Sequence, residues 1–260
     1  MLDAINSILA LVDIKLVRKS TYDNMLSKLP DYQKYNFSQY IETKYLGTYF
    51  ESLRDAESQL GQDLFVLSET GFKKNGFFVE FGATNGVDLS NTCLMEKKFE
   101  WTGILAEPAK IWESELKLNR SALIELDCVW KTTGDTLLFN EVNDDLHNGE
   151  LSTIDSFSNS DKHSKARKLS NKYEVKTISL SDMLKKHNAP KVIDYLSIDT
   201  EGSEFEILSN FDFKEYDIKT ITCEHNYTPM REKIFDLLSA NGYVRKYTEF
   251  SLFDDWYVRQ

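Results

Sequence analysis

Five short, almost unbroken apolar runs punctuate the chain from Phe77 onward: "GFFVEFG", "TGILAEP", "ALIELD", "VIDYLSID" and "IKTITCEH". Each ends in an acidic or small residue, and longer amphipathic stretches separate them. Strands that are apolar at successive positions are buried on both faces, so helices must cover each side of their sheet. The segments "LSNTCLMEKKF", "KIWESELKLNR", "EGSEFEILSNF" and "PMREKIFDLLSANG" have the amphipathic pattern to do so. The alternation predicts an α/β fold with a doubly wound, Rossmann-like sheet. The tail "YVRKYTEFSLFDDWYVRQ" reads differently, as two strands joined by a short turn, a closing C-terminal antiparallel hairpin.

Residues 1–70 lack strand patterning and read as an N-terminal helical extension, which leaves 71–260 as the main domain. Leu2, Ile5, Ile8, Leu9, Val12 and Ile14 fall at roughly helical spacing. That stripe suits packing on the domain, a membrane surface or a second subunit, with a homo-oligomer through the N-terminal helices as the partner expectation. Residues 131–180 interrupt the alternation with Ser, Asn, Asp and Lys-rich sequence between strand-like "DTLLFNEV" and "YEVKTISL". A polar insertion of that length is expected to be a functional or mobile loop.

Thirty-one Lys and Arg against 42 Asp and Glu give a net charge of -11, which repels polyanions and argues against a nucleic-acid partner. No apolar run is long enough to span a membrane, and the opening residues lack a secretory signal pattern, so a soluble cytoplasmic protein is expected. Cys93, Cys128 and Cys223 are scattered with no CxxC pair and are expected to be reduced thiols in or near the core.

In doubly wound sheets a ligand lies beyond the carboxyl ends of the strands, against the turn after the first strand. Here that turn is "FFVEFGATNG". A dinucleotide fingerprint would need glycines at 82, 84 and 87, but Thr84 and Val87 stand at two of these, and no GK[ST] follows to make a P-loop. Glu80, then Gly82, then Gly86 is instead the pattern of an S-adenosylmethionine site. This cofactor carries a sulfonium and an ammonium, so an acidic pocket suits it where a diphosphate would be repelled. Glu107 in "ILAEP" can accept both ribose hydroxyls, and Asp127 and Cys128 in "LDC" can meet the adenine.

"FVEFGATNGVDLSNT", "GILAEP", "IDYLSIDTEGSEFEIL" and "CEHN" together resemble the FkbM-type methyltransferases, over roughly residue 55 to the C-terminus. The resemblance implies a class I methyltransferase sheet and S-adenosylmethionine-dependent methyl transfer to a hydroxyl of a sugar, glycan or natural-product acceptor. The cofactor residues it implies are Glu80, Gly82, Ala83, Thr84, Asn85, Gly86, Glu107, Pro108, Asp127, Cys128 and Asp199. "SQLGQD" also looks like a family segment, with Gln62 and Asp63 closing over the cofactor.

Plainer roles stand beside these. Glu80 and Gly82 also suit a strand end and turn, and Asp199 and Glu201 a helix cap. His225 also suits a satisfied core position. His147, His163 and His187 are expected at the surface, and Phe205, Phe211 and Phe213 in packing. For chemistry, either His225 takes the acceptor's proton, or Asp199, Glu224 and His225 ligate Mg, Mn or Ca and so acidify the hydroxyl. Glu201, Ser152 and Thr153 are candidates for the acceptor side. A catalytically silent cofactor-fold module and a nicotinamide-dependent oxidoreductase are the alternative functions.

Overall fold

A computed structural model of the protein describes residues 21, 29–142, 149–158, 167 and 170–260. The apolar stripe of residues 2–14, and His147 and His163, lie outside them. The helices α1 (Leu29–Phe37), α2 (Leu46–Leu53) and α3 (Gln62–Glu69) precede β1 (Phe77–Phe81). Then come α4 (Cys93–Phe99), β2 (Thr102–Ala106), α5 (Glu113–Asn119) and β3 (Leu123–Glu125). Four strands follow, β4 (Cys128–Trp130), β5 (Thr136–Val142), β6 (Thr153–Ile154) and β7 (Ser170–Ser179). The remainder is α6 (Leu180–Lys186), β8 (Val192–Ile198), α7 (Glu204–Ser209), β9 (Asp217–Glu224), α8 (Met230–Ala240), β10 (Tyr243–Lys246), α9 (Thr248–Ser251) and β11 (Asp254–Arg259).

The five apolar runs become β1, β2, β3, β8 and β9, all parallel to one another. They form most of a seven-stranded sheet of order β10-β11-β9-β8-β1-β2-β3. From β1 the chain first steps outward through β2 and β3, then returns to add β8 and β9 on the other side. The order therefore reverses between β1 and β8, where such sheets open a crevice at their carboxyl ends. β11 is antiparallel to both β10 and β9.

The continuous apolar character of β1 has its predicted cause. Val79 and Phe81 point into one core with Ile104, Leu196 and Ile221, against Met183 of α6, Leu208 of α7 and Leu238 of α8. Phe78 points into the opposite core with Leu105 and Tyr195, against Phe65 of α3, Met95 of α4 and Leu116 of α5. The cysteines are free and buried. Among the described residues no helix is long and apolar enough to cross a membrane.

The insertion departs from its reading as a polar loop. β5 and β7 pair antiparallel from Thr136↔Lys176 to Val142↔Ser170, and β4 and β6 complete a separate sheet of order β4-β7-β5-β6. Its long strands are only partly covered, with Leu138 of β5 and Glu174 of β7 exposed while Phe139 and Val175 pack with Trp112 and Trp130. Half-wet strands do not give continuous apolar runs.

The helices before β1 dock on the far end of the sheet. Trp256 of β11 is fully buried, stacks on Phe65 at 4.8 Å between ring centroids, and meets Phe37 edge-on at 5.8 Å. Trp256→Ala empties the centre of this cluster and is expected to lower stability by about 3–5 kcal/mol in urea unfolding.

Candidate functional site

The turn after β1 is organised by a buried ion pair. The Glu80 carboxylate accepts from Ser90 Oγ at 3.0 Å and from the Asn91 N–H at 2.7 Å, and it takes the Thr92 hydroxyl as well. Arg120, whose side chain is wholly buried, stands 3.9 Å from it. The same guanidinium donates to the Gly86 carbonyl, Ser90 Oγ and Thr92 Oγ1, and its Nε bonds Glu96 at 2.9 Å. One cation thus ties the whole 86–92 loop to the end of β1. Burial still raises the Glu80 pKa, opposed by Arg120 and these hydrogen bonds.

Both glycines of the turn have φ in the left-handed region, and each is needed for close packing. A Cβ on Gly82 would lie 2.1 Å from the Asp199 carbonyl oxygen, so this glycine lets the ends of β1 and β8 touch. A Cβ on Gly86 would lie 2.6 Å from Arg120 Cγ.

Beyond the strand ends opens a cavity of about 230 Å³, many times what one water occupies and so sized for an organic ligand. Gly82 and Thr84 line it from β1, Glu107 and Pro108 from β2, Asp199 and Glu201 from β8, and Glu224 from β9. Cys128, Val129, Phe139 and Ile154 contribute a wall from the smaller sheet. Thr84, Leu89, Glu201 and Asn226, all in the wall, hold positive φ without being glycine. Such strain costs about 1–3 kcal/mol per residue and concentrates at functional sites.

Buried carboxylates dominate the electrostatics. Glu107 accepts the Thr84 N–H at 2.9 Å and the Ala109 N–H at 2.8 Å, yet burial lifts its pKa to about 7. Asp199 is also lifted to about 7, first by burial and then by Glu204. Burial and the charge of Asp199 push Glu224 well above the carboxylate range. Asp199, Glu201 and Glu224 each offer an oxygen within 4.8 Å of the others, a grouping that a metal ion or an ammonium could bridge.

The candidate residues divide. Gln62, Glu80, Gly82, Thr84, Glu107, Pro108, Cys128, Ser152, Asp199, Glu201 and Glu224 line the cavity. His225 does not, contrary to its expected catalytic or metal-ligating role. Its Nδ1 accepts the Tyr227 N–H at 2.9 Å, which leaves Nε2 to donate to the Asp254 carbonyl at 3.0 Å. Burial lowers its pKa, so it stays neutral with both nitrogens engaged.

Asp127 is also outside the cavity lining, with Lys186 3.9 Å away, because β3 ends at Glu125 and Cys128 already belongs to the second sheet. Ala83 is a core residue. Asn85 instead shapes the turn, its Oδ1 accepting the Val87 and Asp88 N–H groups, and Gly86 packs on Arg120. Asp63 is buried on Ser58 and the Leu64 N–H rather than over the cavity. Gln62, in the wall, bonds Asp254 at 2.8 Å. Thr153 is behind the wall and donates to the Glu201 carbonyl at 3.0 Å, while the Ser152 hydroxyl bonds the Gly149 carbonyl. Neither Asp199 nor Glu201 caps the helix that follows, whose N-cap residue Ser203 makes no side-chain cap hydrogen bond; Glu204 instead accepts the Thr200 and Gly202 N–H groups of the loop before it. His187 is partly buried on Glu125 rather than free at the surface.

A model of the methyltransferase FkbM domain matches residues 80–245, from the carboxylate of β1 to β10. The chain belongs to the FkbM methyltransferase family. No curated protein matches it. Among solved structures, an FkbM methyltransferase from Methylobacillus flagellatus KT is similar at TM-score 0.45 and 13% identity, over 91% of this chain and 60% of that one. A precorrin-6y C5,15-methyltransferase from Geobacter metallireducens GS-15 is similar at TM-score 0.40 and 10% identity, over 75% of this chain and 85% of that one.

Three features of this FkbM chain were not read from the sequence. Arg120 closes an amphipathic helix and has no local pattern to announce a partner at Glu80. Asn91 is buried in the wall with its Oδ1 unpartnered. Arg167 bonds Glu201 at 2.7 Å and the Leu151 carbonyl at 2.8 Å, fastening the insertion to the loop after β8.

Arg120→Ala is expected to cost about 3–5 kcal/mol in urea unfolding by stranding Glu80, with Arg120→Lys a poor rescue because it lacks the fork of donors. Because Glu107 and Asp199 are lifted to about 7 in the fold, their contribution to stability is complete below about pH 4 and is lost as pH rises through 7. The ligand-free protein should therefore lose on the order of 4 kcal/mol between pH 5.5 and 8, about 2 from each group, and Asp199→Asn should roughly halve that slope in urea titrations at each pH.

Proposed function

We propose that the protein is an S-adenosylmethionine-dependent O-methyltransferase acting on a hydroxyl of a sugar, glycan or natural-product acceptor. The observation that carries this reading is the cavity wall: at the switch point of the sheet it presents buried carboxylates with raised pKa values and, among the described residues, no lysine or arginine. Such a wall favours a cationic ligand and disfavours the diphosphate of a nicotinamide cofactor. The unpartnered Asn91 Oδ1 is a further acceptor suited to an amino group. In this reading the doubly wound class I core comprises residues 71–260, the helices α1, α2 and α3 form an extension before it, and the insertion at 131–180 shapes the acceptor side.

When bound, S-adenosylmethionine supplies a methyl group on a positively charged sulfur. Each Glu107 oxygen accepts one backbone N–H and retains a lone pair for a ribose hydroxyl. Gly82 and Thr84 offer a closely approachable backbone, and Cys128, Val129 and Phe139 an apolar wall for a flat base. Asp199 and Glu224, whose carboxylate oxygens lie within 4.8 Å of each other, can hold the proton that an attacking hydroxyl must lose. A pKa of about 7 suits Asp199 to exchange it near neutrality. His225 has no part in this, since both its nitrogens are occupied.

Calorimetry with S-adenosylmethionine and its demethylated product tests the reading. Binding is expected with release of protons near pH 7, detected as a dependence of the heat on the buffer, since a cation favours the ionised carboxylates. Glu107→Ala should weaken binding by about 1–3 kcal/mol. A folded protein that binds neither ligand at millimolar concentration overturns the proposal, and one that binds NAD instead makes the oxidoreductase the better reading.

A further inference from the structure

The loop between β1 and α4 turns sharply at the cavity. The Ser90 N–H donates to the Val87 carbonyl at 3.1 Å, which makes Leu89 the third residue of a four-residue turn. Its φ is +58°, a value at which that position takes glycine or asparagine and a bulky side chain is an outlier. The turn is fixed without any help from the leucine. Asn85 Oδ1 accepts the Val87 and Asp88 N–H groups, and Arg120 holds the Gly86 carbonyl and the Ser90 hydroxyl. The backbone of the loop therefore imposes strain on Leu89, and nothing in the loop's hydrogen bonding calls for an apolar side chain there.

That side chain is 45% exposed and belongs to none of the apolar clusters among the described residues, yet it lines the cavity. Its backbone bridges Ser58, and further along the same segment Gln62 bonds Asp254, the neighbour of Phe253. Leu89, Gln62 and Phe253 thus belong to one continuous stretch of the wall, and Leu151 of the insertion adds another apolar group to the lining. Strain and exposed apolar surface both cost free energy in the ligand-free protein, and a ligand that covers Leu89 offsets the second. We propose that Leu89 is an acceptor-binding residue, and that the acceptor carries an alkyl or aryl group beside the hydroxyl it presents for methylation. The cofactor, in the reading above, is held at Glu107 and the Thr84 backbone, under β1 and β2. A sugar that is polar on every edge leaves Leu89 wet, whereas an apolar group laid on it gains about tenfold in affinity from the surface it removes from water.

The inference rests on the methyltransferase reading for there being an acceptor, and its test separates the two. The protein is titrated by calorimetry with S-adenosylhomocysteine and then, saturated with it, with methyl β-glucoside and phenyl β-glucoside. The phenyl compound should bind at least about tenfold more tightly than the methyl one. Leu89→Asn, close to leucine in size and suited to a positive φ, should erase that gain while changing the affinity for S-adenosylhomocysteine by less than about twofold. It should also raise the midpoint of thermal unfolding of the ligand-free protein by about 2 °C or more, because the strain is gone. A lowered midpoint makes Leu89 a structural residue, lost S-adenosylhomocysteine binding makes it a cofactor contact, and a phenyl preference that survives the substitution puts the apolar group elsewhere. Each of these overturns the proposal, as does equal binding of the two glucosides or binding of neither. If the unsubstituted protein fails to bind S-adenosylhomocysteine, the methyltransferase reading falls, and the glucoside pair and the unfolding midpoint on the free protein still decide whether Leu89 selects an apolar group.

Discussion

Glu80 ends β1 in a place without water, and a lone carboxylate there would be neutralised or expelled. Arg120 makes the position tenable. Its guanidinium also collects Gly86, Ser90 and Thr92, so the ion pair that neutralises the strand end shapes the turn beyond it. The position of Thr84 follows, and with it the N–H that Glu107 receives from the next strand. Gly82 completes the arrangement by letting the Asp199 carbonyl approach. The ends of three neighbouring strands are thereby locked together before any ligand arrives.

The strands of the large sheet were legible because they are buried on both faces, and such burial leaves continuous apolar runs that nothing else in the chain imitates. Of the smaller sheet, β5 and β7 were legible as strand-like "DTLLFNEV" and "YEVKTISL", but their pairing with β4 and β6 into a separate sheet was not, because the polar sequence between them reads as a loop. The helix α6 was hidden too, since "LSDMLKK" follows directly on a strand and is short. At the site, the carboxylates at strand ends were legible from position alone, and Glu80, Glu107, Asp199 and Glu224 do reach one cavity. Position misled for His225, because what a ring nitrogen does is set by backbone groups such as the Tyr227 N–H and the Asp254 carbonyl, which carry no sequence signature. Asp127 failed for a related reason: one residue beyond the strand, the chain has already turned toward the second sheet.

Arg167 illustrates what sequence proximity cannot give. It lies in polar sequence and reads as a solvated charge, yet its side chain is buried on Glu201. Together with the Thr153 hydroxyl on the Glu201 carbonyl, it pins the strained loop after β8 from the insertion side. The loop's unusual backbone and the insertion's placement thus depend on each other, and the acidic wall that defines the site is a joint product of both sheets.

The aromatic cluster of Phe37, Phe65 and Trp256 bears on how the protein is made. β11 inserts between β9 and β10 and supplies the tryptophan on which the first helices rest, but it is synthesised after every other strand described. A nascent chain that has not yet released β11 keeps an unpaired edge on β9 and leaves Phe37 and Phe65 without their partner. Contacts this distant in sequence close slowly, and until they do the exposed edge is a template for pairing with a neighbouring chain. Closure of the sheet therefore waits on β11, and a chain halted before Asp254 would carry a nearly finished first half of the sheet and an adhesive flank.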